Sequence, residues 1–124
     1  MDDELPLRQL ATHVLARLGH TVETAADGAE AIQLYQAALQ SAEPFDVVIM
    51  DLTIPQGMGG QETIGALLEI DPNVRAIVCS GYSNDPVMAN FRDYGFEGVV
   101  PKPYSPDDLA RAVDEVLAGG SISA

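Results

Sequence analysis

Three short apolar runs in this chain each end at once on a polar residue able to do chemistry. Phe45, Val47, Val48, Ile49 and Met50 lead to Asp51, the stretch from Val74 to Cys79 leads to Ser80, and Gly98 to Val100 leads to Lys102 between Pro101 and Pro103. Continuous rather than alternating apolar character suits strands covered on both faces, as parallel strands are. In an open parallel α/β sheet the carboxyl ends of the strands lie along one edge, so Asp51, Ser80 and Lys102 are expected to converge there despite their separation in sequence. Asp2 and Asp3 join that edge only if they too follow a strand.

The intervening segments read as helices. Leu7, Leu10, Ala11, Val14, Leu15 and Leu18 recur at helical spacing over 6–18, and Gly19 supplies a stop. Residues 20–25 alternate and carry β-branched side chains, which predicts a strand. After the Asp27-Gly28 turn, helices are expected over 29–39, 61–70, 85–94 and 106–117. The last opens with Ser105 as N-cap, Pro106 in the first helical position and Asp107 and Asp108 at the positive end of the helix dipole. Strict alternation of strand and helix implies a doubly wound parallel sheet. The alternation begins with a helix, however, so a strand ahead of Asp2 is expected to lie almost wholly outside this chain, with Met1 as its last residue.

The chain has 124 residues, enough for one domain with one core, assigned to 1–118 with a tail over 119–124. A formal net charge of -13 argues against nucleic-acid binding by this segment, because phosphate backbones call for clustered Lys and Arg. No apolar run approaches the roughly 20 residues that span a bilayer. With no signal-peptide pattern, the expected compartment is the cytoplasm. The single Cys79 forms no internal disulfide and reads as a small buried hydrophobe. His13 and His20 need no special role. Gly57, Gly59 and Gly60 lack the Lys-Ser/Thr ending of a nucleotide loop and read as a flexible connection. A carboxylate cluster with one amine and one hydroxyl is what a magnesium-dependent aspartyl phosphorylation site requires.

Asp2-Asp3-Glu4, the run Asp51-Leu52-Thr53-Ile54-Pro55, Ser80-Gly81 and Lys102-Pro103 stand in order and in register with predicted strand ends. In this the chain resembles the receiver domains of two-component response regulators. The stretch from Cys79 to Asn90 is further similar to receivers at the C-terminus of hybrid sensor histidine kinases. The resemblance implies a flavodoxin-like α/β fold with strand order 2-1-3-4-5, whose first strand is largely absent here. It also implies that Asp51 takes a phosphoryl group from a phosphohistidine on a histidine kinase or phosphotransfer protein. Mg²⁺ would be held by Asp3 directly, by Asp2 largely through water, and by Asp51 and the Thr53 backbone carbonyl. Lys102 would pair with a phosphoryl oxygen and the Ser80 hydroxyl would donate to another, moving the loop beyond it.

The chain departs from the family in two places. Val99 stands where a Tyr or Phe usually precedes the lysine by three residues, and the loop after Pro55 is one residue longer. Read singly, each motif has a bland alternative: a solvated acidic terminus, a turn cap, turn chemistry, a surface lysine. Two other functions share some of these features. A haloacid-dehalogenase-type phosphohydrolase also uses an Asp after a strand, although this chain has no room for a cap domain. A receiver-like interaction module that no longer signals is the second. Because the first strand is central in the implied order, its absence predicts a marginally stable monomer, or one that swaps a strand or forms a homodimer.

Overall fold

The computed structural model describes residues 1–82 and 84–119. Nine elements follow one another among these residues: α1 (Leu5–Arg17), α2 (Gly28–Gln40), β1 (Val48–Asp51), α3 (Gly60–Ile70), β2 (Ala76–Ser80), α4 (Pro86–Ala89), a 3-10 turn (Phe91–Tyr94), β3 (Gly98–Pro101) and α5 (Pro106–Leu117). The strands form a parallel sheet in the order β1-β2-β3. The predicted tail lies, beyond Gly119, outside the described residues.

β2 is central and buried along its whole length. Its residues alternate between two cores, as the two-residue period of a strand requires. Ala76 and Val78 join Met50, Ile64, Leu67, Tyr35 and Phe96 on the side of α2 and α3. Ile77 and Cys79 join Leu15, Val100, Leu109 and Val113 on the side of α1 and α5. Both faces of the sheet are therefore covered, which explains the unbroken apolar character of the strand sequences.

Local signals act as expected at several helix ends. Asp27 caps α2 by accepting from the Glu30 amide at 3.0 Å. Ser105 and Asp108 form a reciprocal capping box at the start of α5. Gly59 is required by packing, since a Cβ there would run into the Leu52 carbonyl. The loop after Asp51 is thus pressed against the strand end it follows.

Two expectations need correction. Residues 85–94 do not form one helix: at Asn90 the backbone turns to φ -121°, ψ 41°, and the segment divides into α4 and the 3-10 turn. Residues 20–25 are extended but carry no strand ladder. Their one cross-chain backbone bond runs from the Asp2 amide to the Ala25 carbonyl, 3.0 Å. Alternation and β-branching predict a preference for extended backbone, whereas a ladder also needs a neighbour, and among the described residues no strand pairs with this segment. On its other side Met1 is in register with β1. Its terminal nitrogen donates to the Ile49 carbonyl at 2.7 Å, and its own carbonyl accepts from the Asp51 amide at 2.9 Å. Met1 thus lies beside β1 with its backbone bonded to Ile49 and Asp51, between that strand and 20–25.

Candidate functional site

The sheet register decides which polar residues can meet. Asp51 lies opposite Cys79, Cys79 opposite Val100, and Ser80 opposite Pro101, so the ends of all three strands fall on one edge. Lys102 continues the ladder by donating its amide to the Ser80 carbonyl at 2.9 Å. The bonds from Met1 and Asp2 to Ile49, Asp51 and Ala25 bring the acidic start of the chain to the same edge.

There the side chains converge. The Lys102 ammonium lies 2.8 Å from Asp2 Oδ2 and 2.9 Å from Asp51 Oδ2. Carboxylate oxygens of Asp2, Asp3 and Asp51 fall within 4.8 Å of one another. Asp2, Asp51 and Ser80 are buried, while Asp3 is exposed. Burying carboxylates is costly unless they are paired and hydrogen-bonded, and here they are both. Asp2 Oδ1 accepts from the Glu4 amide at 2.9 Å, and Asp51 Oδ1 accepts from the Thr53 amide at 3.3 Å. Asp3 makes no hydrogen bond or ion pair among the described residues.

Electrostatics follow from this crowding. Burial pushes the Asp51 carboxyl above its usual range, and the nearby Asp2 charge adds to the rise, against the opposing pull of Lys102. Burial alone would lower the Lys102 ammonium, but its hydrogen bonds to Asp2 and Asp51 outweigh that and hold it well above the ordinary lysine range. Lys102 therefore remains a cation, and Asp51 gains from any further positive charge brought to it. Burial, followed by the Asp51 charge, pushes the Cys79 thiol up to about 12, which leaves it inert beneath the site.

Ser80 Oγ accepts from the Tyr82 amide at 3.0 Å, so its hydroxyl is tied to the loop after β2 while keeping its hydrogen to donate. Tyr82 itself is largely exposed. Two supporting residues were not foreseen. Arg8, in the first turns of α1, donates from Nη1 to the Asp2 carbonyl at 2.6 Å and anchors the acidic start. Asp27 lines a small cavity with Asp3 and Pro55 at the rim of the site. A basic residue six positions after an acid gives little warning of the first contact, because it depends on where α1 begins. His13 is exposed and takes no part.

Three carboxylates, one ammonium and one hydroxyl on the carboxyl edge of a parallel sheet make a donor set suited to a hard divalent cation, which takes oxygen ligands. The chain is similar to known proteins in sequence and in fold. The chain is 29% identical over 117 residues to the chemotaxis protein CheY of Thermotoga maritima, covering 94% of this chain and 92% of that protein. It is 31% identical over 117 residues to the sensor kinase CckA of Brucella abortus, where 94% of this chain matches 12% of the kinase. Among solved structures, a CheX–CheY–BeF3–Mg²⁺ complex from Borrelia burgdorferi superposes with a TM-score of 0.83 at 26% identity, covering 93% of this chain and 84% of the other. Residues 1–114 match the response regulator receiver domain as a family, and with the carboxylate edge already in place the chain belongs to that family, whose members carry signals through phosphorelay.

Proposed function

We propose that this domain accepts a phosphoryl group on Asp51 and is a signalling acceptor rather than a catalyst with turnover. The observation that carries the reading is the Lys102 ammonium held between Asp2 and Asp51 at 2.8 and 2.9 Å. One ammonium thus joins three segments distant in sequence. In the transfer, an Asp51 carboxylate oxygen attacks the phosphorus of a phosphohistidine. The P–N bond breaks, and its electron pair returns to the imidazole, which then takes up a proton. Such transfers need positioning and charge neutralisation more than covalent help.

The residues fit a bound Mg²⁺, which supplies positive charge against the phosphoryl oxygens. Asp3 is free to ligate directly. Both Asp2 oxygens are already engaged, by Glu4 and Lys102, which favours a contact through water. Asp51 and the Thr53 carbonyl complete the set. Once Asp51 is modified, Lys102 is positioned to meet one phosphoryl oxygen and the Ser80 hydroxyl to donate to another. Movement of Ser80 would carry the Tyr82 amide with it and so report phosphorylation to the surface near α4. Val99 leaves this reading without the aromatic partner common in the family.

The donor is a histidine kinase or phosphotransfer protein. The match to part of a sensor kinase supports a receiver within a hybrid kinase as one setting. Incubation with acetyl phosphate and Mg²⁺ tests the assignment. One equivalent of acid-stable, base-labile label on Asp51 is expected, together with Mg²⁺-dependent binding of beryllofluoride. Full labelling of a folded Asp51→Asn variant would overturn the site. Many turnovers of phosphate ester would instead favour a phosphohydrolase.

A further inference from the structure

Every polar group of Asp2 is engaged. Its amide donates to the Ala25 carbonyl at 3.0 Å, its carbonyl accepts from Arg8 Nη1 at 2.6 Å, Oδ1 accepts from the Glu4 amide at 2.9 Å, and Oδ2 meets the Lys102 ammonium at 2.8 Å. The next residue, Asp3, is exposed and makes no hydrogen bond or ion pair among the described residues, yet its direction is set. A peptide unit is planar, so a bond to either of its polar ends orients the whole unit. The peptide joining Asp2 to Asp3 is held through its carbonyl by Arg8, and the peptide joining Asp3 to Glu4 is held through its amide by Asp2 Oδ1. The two backbone dihedrals of Asp3 lie between these planes. Both are fixed with them, and so is the bond from Cα to Cβ.

Arg8 reaches this turn from the first turns of α1, where it is half-buried. Its amide donates to the Glu4 carbonyl at 3.1 Å while its guanidinium grips the Asp2 carbonyl, so one residue closes the acidic turn at both ends. A bond from an ionised donor is roughly twice as strong as a neutral one, and a guanidinium keeps its charge at any working pH. We propose that Arg8 is a positioning residue for the metal: by holding the Asp2 carbonyl it aims the Asp3 carboxylate at the point where oxygens of Asp2, Asp3 and Asp51 come within 4.8 Å of one another. The proposal rests on the reading of Asp3 as a direct Mg²⁺ ligand. Ordering Asp3 in advance removes a conformational cost that binding would otherwise meet. The charge of Arg8 acts in the opposite sense, because a cation beside the cluster repels a divalent ion. The sign of the effect therefore tells positioning from charge.

Arg8→Gln in the full chain removes the charge and shortens the side chain. Titration calorimetry should show Mg²⁺ binding weakened by about tenfold, a scale typical of residues that orient a metal ligand. In an Asp3→Ala background the same substitution should change the affinity little, since changes that act through one ligand are not additive. Metal-free Arg8→Gln should show a lower NMR order parameter at the Asp3 amide, while the Asp51 and Lys102 amides keep theirs. Leu15→Ala, which loosens α1 from its buried side, is the comparison: it should lower the thermal midpoint but leave the Mg²⁺ affinity of the folded protein and the Asp3 order parameter unchanged. Unchanged or tighter Mg²⁺ binding in Arg8→Gln, an equal loss in Leu15→Ala, or a further loss in the Asp3→Ala background would overturn the proposal. An Asp3→Ala protein that binds Mg²⁺ as the wild type does would instead overturn the ligand reading, and the proposal with it.

Discussion

On one side of β1 every strand has a neighbour, and the residues packed there, such as Leu67, Ile77 and Leu109, are wholly shielded from solvent. On the other side α1, 20–25 and α2 surround a gap, and the residues that cross it, Met1 and Asp2, do so with three backbone hydrogen bonds. The functional site draws on both halves. Asp51, Ser80 and Lys102 come from the paired half, while Asp2 and Asp3 hang from the open one. The contrast separates two groups: Asp51, the proposed acceptor, and Lys102 sit at the ends of paired strands, and Asp2 and Asp3, the acids proposed to meet the metal, sit beside the first residue of the described chain.

The largest test of that contrast is core truncation. Ile77→Ala in β2 should cost about 2–5 kcal/mol, as full burial with little room to relax implies. Val22→Ala, beside the gap, should cost under about 1 kcal/mol, because its neighbours already border open space. Urea unfolding of both variants makes the comparison; equal costs would erase it.

Cation affinity comes next. Asp3→Ala should weaken Mg²⁺ binding by about tenfold or more, the roughly 1.4 kcal/mol of one lost charged contact. Glu4→Ala should change it little, and titration calorimetry reads both. A loss with Glu4 and none with Asp3 would redraw the ligand set.

A third test uses pH. Because the folded Asp51 carboxyl lies above its ordinary value of 3.8, the folded chain keeps a proton that the unfolded chain releases. Its contribution to stability is therefore greatest in acid and falls as pH rises through the window from 3.8 to the raised value. Asp51→Asn should accordingly be the more stable protein at pH 7 without Mg²⁺, with an advantage that shrinks as the pH is lowered. Saturating Mg²⁺ should favour the wild type. Thermal melts across pH, with and without the cation, decide it.

The smallest effect belongs to the cap of α5. Ser105→Ala should cost about 1 kcal/mol through loss of the bond to the Asp108 amide. It should leave Mg²⁺ affinity unchanged, since Ser105 and Asp108 bond to each other's backbone rather than to the carboxylate cluster.

The strand ends were legible because each apolar run leads to a polar candidate residue, so the positions of Asp51, Ser80 and Lys102 along one sheet edge could be read from sequence alone. The α5 cap was equally plain, since Ser105, Pro106 and Asp108 act on their own backbone. What escaped depends on partners that local sequence does not name. Residues 20–25 have strand chemistry, but no ladder forms there. Asn90 interrupts a segment whose composition reads as continuous helix. The Arg8 contact depends on the exact start of α1, and the double pairing of Lys102 on the approach of an acid a hundred residues away.

That double pairing sets a charge count. Three ionised carboxylates and one ammonium leave the cluster with two negative charges, the number that one divalent cation cancels. A monovalent ion leaves it half-compensated. Adding a phosphoryl group to Asp51 exchanges one negative charge for about two, so the filled and modified site is again short of cationic charge by about one. The phosphorylated domain should therefore hold its metal more tightly than the unmodified one, and by thermodynamic reciprocity bound metal should shift the phosphorylation equilibrium toward the modified form.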